Sequence, residues 1–173
     1  MTVRGLPVPI RARDEIGLIA QVVRQKCNAL DHPRFPIVEV VEAIVQDGFE
    51  VLEHGDIGSN YGLTYPDANR MLIRKDTYDA ACDGKGWARE VMAHELGHLI
   101  LHRGIPLPFA SKEAEEQKHS ILGDSEWQAN TFAELLLAPL EVIRGIADTS
   151  EIASLCGISQ ETAFRRWVEA KCR

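Results

Sequence analysis

The sequence predicts an α+β fold, in which a helical body packs against a small antiparallel sheet. Several stretches carry apolar side chains at helical spacing, and two short strand-like stretches flank the turn signal "PDAN" at residues 66–69. The chain has 173 residues, 45% of them hydrophobic, which suffices for one compact domain with a real core. We therefore expect one domain, with at most a small appendage.

The first half of the chain is predicted to hold two helices and then three strands. Residues 14–29 place apolar side chains on one helical face, and Asp14 is the expected N-cap. The break "DHPRFP" separates this helix from a second one, which ends at Gly48. The stretch "FEVLEH" alternates in polarity and predicts a strand. "YGLTY" and "RMLIRK" then predict a β-hairpin across the "PDAN" turn.

The second half of the chain is predicted to be helical. An apolar helix runs from about Trp87 to about His102, and a further helix begins after the capping residues Asp124 and Ser125. Two short helices around a "CGIS" turn follow, with a spacing like that of a helix-turn-helix. We assign residues 1–140 to the main domain and residues 141–173 to a C-terminal helical tail.

Net charge, hydropathy and cysteine content argue against a nucleic-acid binder, a membrane protein and a disulfide-bonded secreted protein. The net charge of −7 argues against a general nucleic-acid binder, which needs a basic face for phosphates. The N-terminal stretch lacks the apolar run of a signal peptide, and no window approaches the ~20 apolar residues of a membrane span. Four scattered cysteines without a C-x-x-C pair indicate reduced thiols. We expect a cytoplasmic protein without a membrane anchor.

The stretch "AHELGHLILH" places polar chemistry in an otherwise apolar helix. His94 and His98 are four residues apart, so both imidazoles leave one face of the helix and can share one metal ion. Glu95 lies on the adjacent flank, where it can reach a metal-bound water. Gly97 costs about 1 kcal/mol in mid-helix relative to alanine, so we expect another chain segment to approach closely there. The pattern H-E-x-x-H is typical of zinc hydrolases with a glutamate general base.

A catalytic zinc ion needs a third protein ligand, and the downstream candidates are His102, His119 and Glu126. His102 lies about 12 Å along the same helix from His94, so we assign it a supporting role rather than a place on the metal. Glu126 is the better candidate, although a glutamate in the first turn of a helix is also favoured by the helix dipole alone. Small residues on the same face would let its helix approach closely, and Asn130 is placed to hydrogen-bond a ligand.

"AHELGHLILH" followed by "EWQANTFAELLLAP" closely resembles the ImmA/IrrE-type metallopeptidase domain over about residues 35 to 140. The resemblance implies a gluzincin-like metallopeptidase core, with His94, His98 and Glu126 as zinc ligands and Glu95 as the catalytic general base. It also implies a small sheet whose edge strand lines the cleft, and we expect this edge to be "RMLIRK", available for pairing with an extended substrate.

Members of this family resemble site-specific endopeptidases that cleave a repressor in phage, mobile-element or stress-response systems. The resemblance therefore implies a zinc metalloendopeptidase whose partner is a helix-turn-helix repressor. Manganese or iron can replace zinc, because a His-His-Glu set does not select the metal by affinity alone. The sequence does not choose the residue that stabilises the oxyanion among five candidates: Tyr61, Tyr65, Tyr78, His102 and His119.

Two alternatives to a protease remain open. A DNA-binding regulator would use Arg165 and Arg166 in the last predicted helix, although two arginines make a thin surface for phosphates. A non-proteolytic partner-binding protein, or the toxin-like half of a toxin–antitoxin pair, would keep the metal site without turnover. The polar stretch "SKEAEEQKH" at residues 111–119 is either a lid over the cleft or a solvated loop.

Overall fold

A computed structural model describes residues 5–105 and 119–172 of the chain, and it confirms the predicted α+β class. The helices of the described part are α1 (Arg13–Lys26), α2 (Ile37–Val45), α3 (His54–Ile57), α4 (Lys75–Cys82), α5 (Gly86–Leu101), α6 (Ser125–Leu137), α7 (Leu140–Ile143), α8 (Thr149–Cys156) and α9 (Gln160–Cys172). The strands are β1 (Phe49–Leu52), β2 (Gly62–Tyr65) and β3 (Arg70–Arg74). Each predicted helix is present, with ends within about three residues of the expected ones.

The start of α1 differs from the prediction. Its N-cap is Ala12 rather than Asp14, which lies inside the first turn. The side chain of Glu15 accepts a hydrogen bond from the Ala12 N–H at 2.6 Å. The glutamate thus supplies the side-chain hydrogen bond of the N-terminus, and Asp14 adds only favourable charge beside the helix dipole.

The sheet is mixed rather than antiparallel, with the order β1-β3-β2. The predicted hairpin is present, since β2 pairs antiparallel with β3. However, β1 joins the other side of β3 in parallel. The expectation that "RMLIRK" forms the edge is therefore wrong. Residues 71–74 are all buried, as is typical of a strand covered on both faces, and the edge strand beside α5 is β2.

One hydrophobic cluster joins most elements, from Ile16 in α1 through Leu96 in α5 to Ala163 in α9. The helix pair α5 and α6 lies in its middle. The two helices of the C-terminal tail contribute buried side chains to the same cluster, among them Ile152 and Cys156. The division of the chain at residue 140 stays a prediction.

The segment before α1 runs across the N-terminal end of α6. The N–H of Ser125 donates to the carbonyl of Leu6 at 3.0 Å, and the N–H of Val8 donates to the carbonyl of Gly123 at 2.8 Å. This segment therefore fixes the turn from which α6 starts. No helix among residues 5–105 and 119–172 combines the length and the hydropathy that crossing a bilayer requires.

Candidate metal centre

Two histidines of α5 point to one place beside the sheet. The Nε2 atoms of His94 and His98 lie 3.0 Å apart. Both side chains are largely covered, with exposed fractions of 17% and 16%. The helical spacing of four residues thus brings the two imidazoles together, as the sequence predicts.

Glu126, in the first turn of α6, completes the group. Its Oε2 lies 3.2 Å from His94 Nε2, and its Oε1 lies 3.2 Å from His98 Nε2. The helix is fixed at this end because Asp124, its N-cap, accepts a hydrogen bond from the N–H of Trp127 at 2.8 Å. One ligand atom from each of His94, His98 and Glu126 lies within 4.8 Å of the others.

The three side chains fit a divalent cation in spacing and in chemistry. Two ligand atoms at 2.0–2.1 Å from one tetrahedral zinc ion are about 3.3 Å apart, close to the 3.0 and 3.2 Å observed here. The Nδ1–H of His94 donates to Asn130 Oδ1 at 3.0 Å. This hydrogen bond selects the tautomer of neutral His94 whose Nε2 lone pair faces Glu126, which is the form that binds a metal.

The charges of this group favour a cation. The contacts with His94 and His98 hold the pKa of Glu126 far below its usual range, although burial opposes the shift. Burial acts against a charge on His94, but the contacts with Glu126 and the charge of Glu95 outweigh it and raise the pKa of His94. Glu126 is therefore ionised at any working pH, and a metal ion competes with a proton for the histidines.

His102 stands behind His98 rather than at the centre. Its Nδ1 lies 3.0 Å from His98 Nδ1, and its Nε2 lies 3.3 Å from the Oε1 of Gln128. Burial, with the charge of His98 as a smaller cause, lowers the pKa of His102 to about 4. A neutral His102 accepts the Nδ1–H of His98 and donates to Gln128, so it orients the candidate ligand His98.

Gln128 extends this hydrogen-bond chain to the N-terminal segment and was missed by sequence reasoning. Its Nε2 donates to the carbonyl of Pro9 at 2.8 Å and to the carbonyl of Leu122 at 2.7 Å. Its side chain is fully buried. A glutamine two residues after a ligand carries no recognisable signal, because its partners lie far away along the chain.

Gly97 allows α5 and α6 to touch, as the sequence predicts. A Cβ atom at this position would lie 3.1 Å from Ala129 Cα and 3.2 Å from the carbonyl oxygen of Ala129. Ala129 belongs to α6, one turn after Glu126. The close contact of the two helices therefore sets the distance between the histidines and the glutamate.

Glu95 lies against the edge strand β2, with an exposed fraction of 7%. The hydroxyl of Thr64 donates to Glu95 Oε2 at 2.7 Å. A Cβ atom at Gly62 would lie 2.7 Å from Glu95 Cγ and 2.9 Å from Oε1. Thr64 holds one carboxylate oxygen, and the missing side chain at Gly62 makes room for the other. Neither residue was predicted, because only the tertiary contact between β2 and α5 reveals them.

The candidates for stabilising an oxyanion lie in different places. The hydroxyl of Tyr78 donates a hydrogen bond to Glu42 at 2.5 Å. This contact is the largest cause that raises the pKa of Tyr78, and burial is the next. His119 Nε2 lies 3.1 Å from Asp124 Oδ2. Tyr61 precedes β2, whereas Tyr65 ends it. The proposed lid at residues 111–119 lies outside the described residues except for His119.

Comparison with known proteins supports the resemblance. A peptidase family model, described as the IrrE N-terminal-like domain, matches residues 83–167. The match includes α5, α6 and most of the C-terminal helices. It begins and ends later along the chain than the resemblance noted above, which covers about residues 35 to 140. No curated protein and no solved structure matches the chain significantly. The match over residues 83–167 is consistent with the resemblance of the sequence to the ImmA/IrrE-type metallopeptidase domain.

Proposed function

We propose that this protein is a metal-dependent endopeptidase that hydrolyses a peptide bond of a partner protein. The observation that carries the proposal is the close group of His94, His98 and Glu126, with Glu95 on the same helix beside the edge strand. The four cysteines are free, which fits work in a reducing cytoplasm. From the family resemblance, we propose a helix-turn-helix repressor as the substrate.

His94, His98 and Glu126 would hold the metal, with zinc as the first choice and manganese or iron as alternatives. When bound, the metal would polarise the scissile carbonyl and lower the pKa of a water molecule. Asn130 and His102 keep the two imidazoles in the orientation and tautomer that this requires.

Glu95 would accept a proton from the attacking water and return it to the leaving amine. Its Oε2 is engaged by Thr64, which leaves Oε1 as the oxygen that accepts the proton. Any side chain at Gly62 would press on this oxygen. Glycine at position 62 therefore keeps the general base in place and accessible.

The edge strand β2 gives an extended substrate a place to bind. The N–H of Arg74 donates to the carbonyl of Tyr61 at 2.9 Å. Because hydrogen-bonded and outward-facing residues alternate along an antiparallel pair, the backbone groups of Gly62 and Thr64 face away from β3. Among the described residues, no further backbone hydrogen bond engages these groups, and we propose that they pair with a substrate strand directly beside Glu95.

The test is to incubate the zinc-loaded protein with a helix-turn-helix regulator encoded beside its gene and to look for a discrete fragment. Glu95→Gln should bind zinc normally and yield no fragment, whereas His98→Ala should lose zinc and cleavage together. Glu53→Gln, the same change at an exposed position, is the matched control and should cleave normally. A fragment of unchanged yield with Glu95→Gln would refute the assigned chemistry. An unchanged biological effect without cleavage would favour the partner-binding alternative.

The DNA-binding alternative gains no support from the C-terminal helices. Arg166 is completely buried and donates its Nε–H to the carbonyl of Ala138 at 2.8 Å. Arg165 is ion-paired with Glu134 at 2.8 Å. The two arginines that would contact phosphates are thus engaged within the protein.

A further inference from the structure

Two exposed aromatic side chains stand together near the candidate site. Tyr61 has an exposed fraction of 49% and Trp87 one of 43%. Their ring centroids are 5.6 Å apart in an edge-on arrangement. Neighbouring aromatic rings left open to solvent are typical of binding surfaces, and the role proposed above for the metal centre does not use this pair.

Tyr61 and Trp87 belong to the same parts of the chain that carry the candidate site. Tyr61 directly precedes Gly62, the residue that packs against Glu95. Trp87 lies seven residues before His94, which is about 10.5 Å along α5 and nearly the same direction around its axis. Val91, one turn beyond Trp87, is half-buried on that face. Trp87, Val91 and His94 therefore share one face of α5, and none of the three is fully buried by the described residues.

Tyr61 is held in place by its neighbours. The guanidinium carbon of Arg74 lies 4.3 Å from the centroid of the Tyr61 ring. Two hydrogen bonds to Asp76, at 2.6 and 2.9 Å, hold this guanidinium group. Tyr61 is also tied through its carbonyl to the N–H of Arg74. The Tyr61 side chain therefore has little entropy left to lose when a ligand covers it.

We propose that Tyr61 and Trp87 form a subsite that binds one large apolar side chain of an extended peptide substrate. A distance of about 10 Å corresponds to about three residues of extended chain. The substrate class is therefore a peptide with an aromatic or large aliphatic residue about three positions from the bond that is cleaved. This inference rests on the proposed function and adds the specificity of the same site.

Peptide hydroxamates test the subsite without requiring turnover. Two series carry the chelating hydroxamate at the amino or at the carboxyl end, so that both directions from the metal are sampled. In each series phenylalanine replaces alanine at one of four successive positions. Titration calorimetry with the zinc-loaded protein should show binding about tenfold tighter for phenylalanine at one position near the third, as expected for one added aromatic contact.

Variants assign this preference to the aromatic pair. Trp87→Ala and Tyr61→Ala should each abolish the tenfold difference in affinity between the phenylalanine peptide and the all-alanine peptide. Trp87→Phe, which keeps an aromatic ring, should retain most of the gain. Phe164→Ala is the matched control, because Phe164 is an aromatic residue 56% exposed in α9, where its ring stacks on Trp167, and it should leave the gain intact.

The outcomes separate the two proposals. If the hydroxamates bind the zinc-loaded protein but show no preference at any position, or if the preference survives both alanine variants, the subsite is wrong and the metal site stands. If no hydroxamate binds the zinc-loaded protein, the proposed function fails and the subsite fails with it. A preference that disappears in Trp87→Ala and Tyr61→Ala, and persists in Phe164→Ala, supports the subsite.

Discussion

Alanine at Gly97 tests whether the contact between α5 and α6 builds the metal centre. The added Cβ would lie 3.1 Å from Ala129 Cα and from Phe132 Cδ1, whereas carbon atoms pack at about 3.5–4.0 Å. Because Ala129 presents its backbone, α6 must move away by about 0.5 Å. Overpacking of this kind costs about 1–3 kcal/mol, and alanine regains about 1 kcal/mol of helix propensity. The net loss of stability is then roughly 0–2 kcal/mol.

The same displacement has a larger effect on metal binding. Metal–ligand distances tolerate about 0.2 Å, so moving Glu126 by about 0.5 Å weakens its bond to the ion. We expect zinc affinity to fall about tenfold or more, measured by calorimetry beside urea unfolding of the metal-free protein. Gly17→Ala in α1 is the matched control, because its nearest new contact, Leu135 Cδ1, is at an ordinary 3.7 Å. It should gain about 1 kcal/mol and bind zinc normally. The reasoning is refuted if Gly97→Ala is as stable as Gly17→Ala and binds zinc as tightly as the unmodified protein.

Three further predictions follow from single contacts. Asn130→Ala removes the acceptor of the His94 Nδ1–H and should weaken zinc binding about tenfold in the same calorimetric assay; an unchanged affinity would show that Asn130 does not orient the ligand. Burial raises the pKa of Cys156 to about 11, so alkylation followed by mass spectrometry should leave it unmodified while the exposed cysteines react. In the unfolded chain the Cys156 thiol ionises near pH 9, whereas the folded protein keeps it protonated up to about pH 11. The free energy of unfolding should therefore fall as the pH rises from about 9 to 11, and Cys156→Ala should remove that part of the pH dependence. Arg166→Ala should cost about 3 kcal/mol or more in urea unfolding, whereas Arg165→Ala, at a half-exposed ion pair, should cost less than about 1 kcal/mol; equal losses would contradict the burial argument.

The placement of the candidate ligands could be predicted because it depends on local geometry. The spacing of His94 and His98 is a property of one helix, and the small residues after Glu126 indicate a close helix contact. The residues that hydrogen-bond the candidate ligands could be predicted from the sequence only in part. Asn130 follows Glu126 at helical spacing, but Gln128 reaches the carbonyl of Pro9, which no periodicity relates to it.

The sheet shows where pattern reading stops. The hairpin of β2 and β3 was predictable because its turn is a local signal, and antiparallel neighbours need only a short connection. The pairing of β1 with β3 is parallel and depends on a crossover that no turn signal marks. The unbroken apolar run of Met71, Leu72 and Ile73 did contain the information, since a strand buried on both faces lacks alternation. That run assigns β3 to the centre and leaves β2 as the edge beside Glu95.

The C-terminal helices have a helix-turn-helix spacing, but Arg166 in the last of them contacts the C-terminal end of α6. The last carbonyls of α6 lack partners within the helix. Buried Arg24 donates to the carbonyl of Leu136 at 2.7 Å, and buried Arg166 donates to that of Ala138 at 2.8 Å. Two cations also suit the negative end of the helix dipole. Since Glu126 lies at the other end of α6, Arg24 of α1 and Arg166 of the tail together anchor the helix that presents this candidate ligand.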